Sequence, residues 1–268
     1  MTVIDSDTIT DDQLMRYARH VILDEVGEVG QAKLLRSKVL VIGAGGLGSP
    51  VLMYLAAAGV GTIGVVDFDV VDLTNLQRQI VHTTESGDMA KVESAAATIA
   101  AINPEIRFNA HNIKLTTENA ASLIADYDIV ADGSDNFETR YLVNDTCFFL
   151  KKTLVSGALL RFEGQLSVFK PHAGDNNPCY RCLFPSPPPS GMTPRCETAG
   201  IFGAIAGVVG TMQASEVLKE MLGLGQSLSG TLVLYDALNT TFRKIKIPSD
   251  PGCPLCGDQP SITTSPSS

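Results

Sequence analysis

Lys38-Val39-Leu40-Val41-Ile42-Gly43-Ala44-Gly45-Gly46-Leu47-Gly48 is the stretch whose reading decides the fold. Lys38 to Ile42 reads as an apolar strand of the kind covered on both faces, as in parallel sheets. Gly43 to Gly48 matches G-x-G-x-x-G and leads into a helix predicted over Ser49 to Ala58, the context the motif needs. Its glycines permit a tight turn and close phosphate approach, and the helix beyond offers free N–H groups and the positive end of its dipole to an anion. The next strand, Gly61 to Asp67, ends on an acid about 20 residues further on, where a ribose hydroxyl is usually bonded. The competing reading is a turn that packs helix on strand and binds nothing. Strand, helix and acid together favour a nucleotide, without saying which one.

Working outward, Thr10-Asp11-Asp12-Gln13 forms a capping box before Leu14, Tyr17, Ala18, Val21 and Ile22 at helical spacing, which sets Arg16 and Arg19 one turn apart. A short helix is predicted around Gln31 to Leu35. Downstream, an alanine-rich helix over Lys91 to Ile102 is stopped by Asn103-Pro104. Strands are predicted over Arg107 to Asn112 and Asp128 to Asp132, with a helix over Thr117 to Ala125 between them. Strands alternating with helices predict a doubly wound, mostly parallel, Rossmann-like α/β sheet. The second half changes character. Gly157 to Lys170 and Gly230 to Asp236 read as strands, Thr241 to Ile247 alternates, and a proline-rich loop (Pro185 to Pro194) precedes a glycine-rich apolar helix. This predicts a mixed or antiparallel continuation of the sheet.

The chain of 268 residues suffices for one large α/β domain. We expect a single domain over 1–260, with a nucleotide-binding half at about 10–156 and a second half at about 157–258. The Ser/Thr/Pro-rich tail, 261–268, is expected to be disordered. Hydrophobic residues make up 44% and charged residues 18%, an ordinary globular composition. A net charge of -9 argues against nucleic-acid or anionic-membrane binding, which needs a basic face. Met1 to Asp12 lacks the basic start and apolar run of a signal peptide. The longest uncharged apolar stretch, Ala199 to Met212, falls short of the roughly 18 residues of a membrane span. A cytoplasmic protein with reduced cysteines is the expectation.

Two C-x-x-C pairs, Cys179/Cys182 and Cys253/Cys256, can supply four thiolates to a closed, structural Zn2+. The alternatives are independent redox pairs or buried thiols. Cys196, beside Arg195 at a helix start, has the setting of a lowered pKa and is a candidate nucleophile. Cys147 reads as packed core.

The polar residues after the turn narrow the chemistry. Asp67-Phe68-Asp69 is followed by Asn75-Leu76-Gln77-Arg78-Gln79 and then Lys91. Hydride transfer needs little positive charge beyond the pyrophosphate, whereas adenylyl transfer expels pyrophosphate and gains from Arg and Lys around it. Singly, Arg78 or Lys91 is more often a solvated surface residue.

With Arg16-Tyr17-Ala18-Arg19, the glycine turn, these residues and Ser134-Asp135-Asn136 in this order, the chain resembles the MoeB/ThiF (HesA/MoeB/ThiF) family. These are sulfur-carrier protein adenylyltransferases related to ubiquitin-activating enzymes, and the resemblance runs from about Gln13 to Gly257. It implies ATP and Mg2+ as cofactors. Gly43, Gly45, Gly46 and Gly48 would cradle the nucleotide, Asp67 would hold the ribose, Asn75, Arg78 and Lys91 would meet the phosphates, and Asp69, Gln79 and Asn136 would line the site. Asp135 would bind Mg2+. Arg19 would act in trans across a homodimer, as an arginine finger does. Family members carry the same two cysteine pairs, and some form a covalent sulfur link through a cysteine at the position of Cys196, while others do not need it.

The implied partner is a small ubiquitin-like sulfur carrier ending in Gly-Gly, whose C-terminal carboxylate would be activated as an acyl-adenylate. A sulfur donor, a rhodanese or cysteine desulfurase expected as a separate protein, would then form the thiocarboxylate. Thr193 to Cys196 and Cys253 to Ile262 look more like relatives serving molybdopterin synthase in molybdenum cofactor biosynthesis. A thiamine-thiazole carrier, or several carriers, is the alternative. From other classes, an NAD-dependent oxidoreductase is weakened because His20, His82, His111 and His172 form no suggestive motif. A non-catalytic nucleotide-binding scaffold is weakened by the complete set of Asp67, Arg78, Lys91 and Asp135.

Overall fold

The computed structural model describes residues 9–174, 176–187 and 199–266. Its strands are β1 (Lys38–Ile42), β2 (Thr62–Val66), β3 (Arg107–His111), β4 (Ile129–Asp132), β5 (Thr153–Leu160), β6 (Glu163–Phe169), β7 (Thr231–Asp236) and β8 (Thr241–Lys246). They form one sheet in the order β3-β2-β1-β4-β5-β6-β7-β8. From β3 to β5 neighbours run parallel, and from β5 onward they run antiparallel. The predicted mostly parallel sheet with an antiparallel continuation is therefore present. Strand order reverses between β1 and β4, and crevices of doubly wound folds open at the carboxyl ends of such neighbours.

The helices are α1 (Asp11–Arg16), α2 (Ala18–Val21), α3 (Gly27–Arg36), α4 (Gly48–Ala57), α5 (Lys91–Ile102), α6 (Ala120–Ala125), α7 (Phe137–Phe149), α8 (Tyr180–Leu183) and α9 (Ala204–Leu222). The continuous apolar run of β1 follows from cover on both faces. Val39 and Val41 join α3, α4, α5 and α9 in one core, while Leu40 and Ile42 join α6 and α7 in the other. These four side chains are at most 3% exposed, and each contributes about 1.5–3 kcal/mol by burial. Among the described residues no helix is long and apolar enough to cross a membrane.

Several sequence-based boundaries move. The strand predicted over Gly157 to Lys170 is a hairpin, with β5 paired to β6 from Leu154↔Phe169 to Leu160↔Glu163. Its turn places Arg161 at φ 53, a left-handed conformation more usual for glycine or asparagine. The opening helix breaks at Tyr17, which is buried and whose hydroxyl accepts from Asn103 Nδ2 at 2.8 Å. The glycine-rich helix begins at Ala204 and runs to Leu222 rather than covering 199–212. Helix α7 fills a stretch left unassigned above. In the tail expected to be disordered, Ile262 donates its N–H to Pro254 O at 2.9 Å and packs on the cysteine cluster.

Candidate functional site

The glycine turn is shaped by backbone meeting backbone. Gly43 leaves β1 at φ 89 and donates its N–H to Val66 O on β2. A Cβ on Gly48 would lie 1.9 Å from Gly43 O, so no side chain fits there. A Cβ on Gly46 would lie 3.3 Å from Ala206 Cβ and 3.5 Å from Arg78 Cγ, and one on Gly203 only 2.4 Å from Gln77 O. The start of α9, from the second half of the chain, thus forms one wall of the cradle with the stem of Arg78 packed between.

Asp67 reaches the turn rather than standing apart from it. Its Oδ2 accepts from Ala44 N at 2.8 Å and its Oδ1 from Asp69 N at 2.9 Å. Burial pushes its carboxyl above the ordinary range, with Lys91 and these N–H groups pulling the other way. Lys91 opens α5 and is only 5% exposed, so it is not a solvated surface lysine. Its Nζ donates to Asp69 Oδ2 at 2.7 Å, a carboxylate that is itself half exposed. Arg78 Nη2 donates to Asn75 Oδ1 at 2.8 Å, which aims the guanidinium from a 3-10 turn capped by Asp72. Gln79 is 4% exposed and its Oε1 has no partner among the described residues. An orphaned buried acceptor costs about 1–3 kcal/mol unless a ligand or water supplies a donor.

Asp135 follows β4 and is exposed, touched by Asn136 Nδ2 at 3.4 Å. Asn136 has a structural task as the N-cap of α7, its Oδ1 accepting from Thr139 N at 2.9 Å. Arg19 is exposed on α2 and its side chain bonds no described residue, whereas Arg16 Nη1 is tied to Ile102 O at 3.2 Å. Cys196 lies outside the described residues.

Sequence reasoning missed the buried polar floor of the site. Arg140, on α7, bonds Ser134 O and donates to Gly157 O at 2.8 Å, with Asp132 Oδ2 3.8 Å away. Gln213, on α9, donates to Asp132 O and Val155 O at 2.8 and 2.9 Å. His82, equally unmarked by any motif, is buried and bonds Ala44 O at 2.8 Å and Ser94 Oγ at 2.9 Å. A lone buried Arg, Gln or His has no spacing signal to find it by.

The two cysteine pairs converge. Their sulfurs all lie within 4.8 Å of one another, with Cys179–Cys253 at 3.6 Å and Cys182–Cys256 at 3.3 Å. Tetrahedral Zn–S bonds of about 2.3 Å set S···S edges of roughly 3.8 Å, so the donor set fits zinc. N–H groups of Asp250 and Cys256 point at Cys182 Sγ and Cys253 Sγ, as they do around metal-bound thiolates. Between the cysteines of the first pair, Arg181 forks onto both oxygens of Asp145 at 2.7 Å and fixes α8 to α7. Cys147, as expected, is core, and burial pushes its thiol far up.

The fold and site define a class: a doubly wound nucleotide-binding domain with cationic residues beside the glycine turn and a cysteine quartet tying its end to its middle. The ThiF family model matches residues 17–255, and the chain belongs to the ThiF family. It is 50% identical over 254 residues to the sulfur carrier protein adenylyltransferase of Thermus thermophilus, covering 94% of each chain. It is 47% identical to the SAMP-activating enzyme E1 of Haloferax volcanii, over 92% of this chain and 90% of that one. The adenylyltransferase and sulfurtransferase MOCS3 of Aedes aegypti is 49% identical, but this chain spans only 58% of it. A crystal structure of E. coli MccB with succinimide superposes at a TM-score of 0.79 and 20% identity, over 93% of this chain and 75% of that one, a likeness of fold. A relative named an adenylyltransferase, 50% identical over nearly the full length of both chains, places the chain among the nucleotidyltransferases.

Proposed function

We propose that the chain binds ATP at the glycine turn and transfers its AMP to the C-terminal glycine carboxylate of a small ubiquitin-like sulfur-carrier protein. The observation that carries this reading is Lys91, a buried lysine whose ammonium, among the described residues, is paired only with the half-exposed Asp69 beside the cradle. A carboxylate oxygen of the carrier attacks the α-phosphorus, the bond to the bridging oxygen breaks, and pyrophosphate leaves. Arg78 and Lys91 offset the charge that builds on it. No enzyme nucleophile is required, so positioning and charge carry the step. Gly43, Gly45, Gly46 and Gly48 admit the phosphates, Asn75 meets them beside Arg78 and Lys91, Asp67 holds the ribose, and Gln79 and Asn136 line the pocket with Asp69. Asp135, exposed just after β4, would hold Mg2+, which would supply charge neutralisation at the phosphates.

Arg19, exposed and without an intrachain partner among the described residues, is assigned to a second copy's phosphates in a homodimer. The quartet of Cys179, Cys182, Cys253 and Cys256 holds Zn2+ and is structural. The carrier is the small subunit of molybdopterin synthase, the sulfur donor is a separate rhodanese or cysteine desulfurase, Cys196 is the candidate relay, and the setting is cytoplasmic.

ATP–pyrophosphate exchange with Mg2+ tests this, using a molybdopterin-type and a thiamine-type carrier separately. Exchange with the first alone supports the reading as stated. Exchange with the second alone keeps the reaction and overturns the carrier; exchange with both means a shared enzyme. Silence with both, from protein that still binds ATP, sinks the reading and leaves a nucleotide-binding scaffold.

A further inference from the structure

His82 takes no part in the chemistry above, yet the residue is only 6% exposed and both ring nitrogens are engaged. Nε2 lies 2.8 Å from Ala44 O. A carbonyl only accepts, so Nε2 carries the hydrogen. In the neutral ring Nδ1 is then an acceptor, and it takes the Ser94 hydroxyl at 2.9 Å. Burial holds the imidazole below its usual range, with Lys91 acting in the same direction, the Ala44 bond and Asp67 against it. Ser94 stands one turn along α5 from Lys91.

Ala44 is thereby held on both sides. Asp67 Oδ2 takes its N–H and fixes the Gly43–Ala44 peptide, while His82 takes its C=O and fixes the Ala44–Gly45 peptide. In a trans peptide the N–H points opposite to the C=O. With Ala44 O turned toward His82, the N–H of Gly45 must point away from it, and that N–H bonds no described residue. A peptide flanked by glycine flips easily, since glycine tolerates both hands of the backbone.

We propose that His82 is a positioning residue: its Nε2–H locks the Ala44–Gly45 peptide so that the Gly45 N–H faces the ATP phosphates, and Ser94 braces the ring from the helix that carries Lys91. This rests on the reading that the glycine turn holds ATP. It assigns a separate task to each ring nitrogen, and that makes it testable atom by atom.

A glutamine places its amide nitrogen as many bonds from Cβ as Nε2 stands, and an asparagine places its own where Nδ1 stands. His82→Gln therefore keeps the donor to Ala44 O, and His82→Asn removes it. In ATP–pyrophosphate exchange at saturating carrier, His82→Asn is expected to raise KM for ATP about tenfold, the size of one lost hydrogen bond, with kcat changed far less. His82→Gln is expected to stay within about threefold of wild type by the same scale, and KM for the carrier should be unchanged in both. Zinc content and melting temperature are measured alongside. Equal KM in all three proteins overturns the proposal. Equal loss in both variants also overturns it, since it would show that the ring's packing matters and not its donor. Gly48→Ala in the same assay reports on the cradle itself: if KM for ATP is indifferent to that change, the nucleotide lies elsewhere and the parent reading falls, whatever the His82 variants do.

Discussion

At the glycine turn, side chains are absent so that backbone can touch backbone, and a methyl group on Gly48 would sit 1.9 Å from Gly43 O. At the cysteine quartet the reverse holds. Four side chains from two distant segments converge, and Cys179 and Cys253 are buried where their thiolates would otherwise be unsustainable. The first region is ordered by the chain alone, through β1, α4 and the core they share. The second has the donor set of a metal site, and on the proposed reading it would be ordered by an ion that the chain captures. The turn should therefore survive loss of the metal, and the quartet should survive damage to the turn.

Removing the metal puts the largest energy at stake. Purified protein is expected to carry one zinc per chain, and Cys253→Ser or chelation should cost on the order of 5 kcal/mol of stability, because binding energy at such sites is folding energy. Limited proteolysis should then cut near Pro251 to Ile262 while calorimetry still shows ATP binding. If ATP binding collapses with the zinc, the two regions are one cooperative unit and the contrast is lost.

Gly48→Ala is the converse test. Forcing a methyl group against Gly43 O is expected to cost about 3 kcal/mol, at the top of the overpacking range, and to abolish ATP binding while leaving zinc content intact. Urea denaturation gives the first number and metal analysis the second. An unchanged midpoint would mean that the turn opens freely and is not fixed as described.

Arg181→Ala sharpens the contrast at its seam. Arg181 is the fork that holds α8, which carries Cys182 and is N-capped by Cys179, on α7, and it leaves Asp145 buried when removed. About 2 kcal/mol of stability should go, with faster zinc loss to a chelator and an unchanged KM for ATP. Unchanged zinc kinetics would show that the quartet orders itself without α7.

What could be read in the sequence divides along the same line. The turn, the strands on either side of it and the four cysteines are legible because each has a local signature: glycines two and three apart, short unbroken apolar runs, paired C-x-x-C. Helix α7 did not, because its inward face carries Arg140, Asn144, Asp145 and Thr146, all buried, where a helical stripe should be apolar. The hairpin of β5 and β6 was read as one strand because Arg161 and Phe162 make its turn without the glycine or asparagine that usually marks one. Lys91 was found but undervalued, since sequence gives its position and not its 5% exposure. His82 and Gln213 were missed for the same reason: they act on backbone carbonyls, which every sequence has everywhere.

The smallest effect lies inside the turn, where two titrating groups pull in opposite directions. His82 is held below its ordinary value of 6.5, mainly by burial, so the unfolded chain takes up the proton more readily than the folded one. Its contribution is complete above that value and is lost as pH falls through its lower folded value. Asp67 is raised above 3.8 by burial, so the folded protein binds that proton more readily and gains stability as pH falls through the raised value. His111 and His172 are also held low by burial and share the sign of His82, so the wild-type profile alone does not isolate the turn. The difference between wild type and His82→Gln does. Melting temperatures at pH 8, about 6.5 and about 5 should show wild type losing more than the variant on the acid side. If the two profiles run parallel, the imidazole is not held neutral against the glycine turn, and the turn is not fixed by His82 as described.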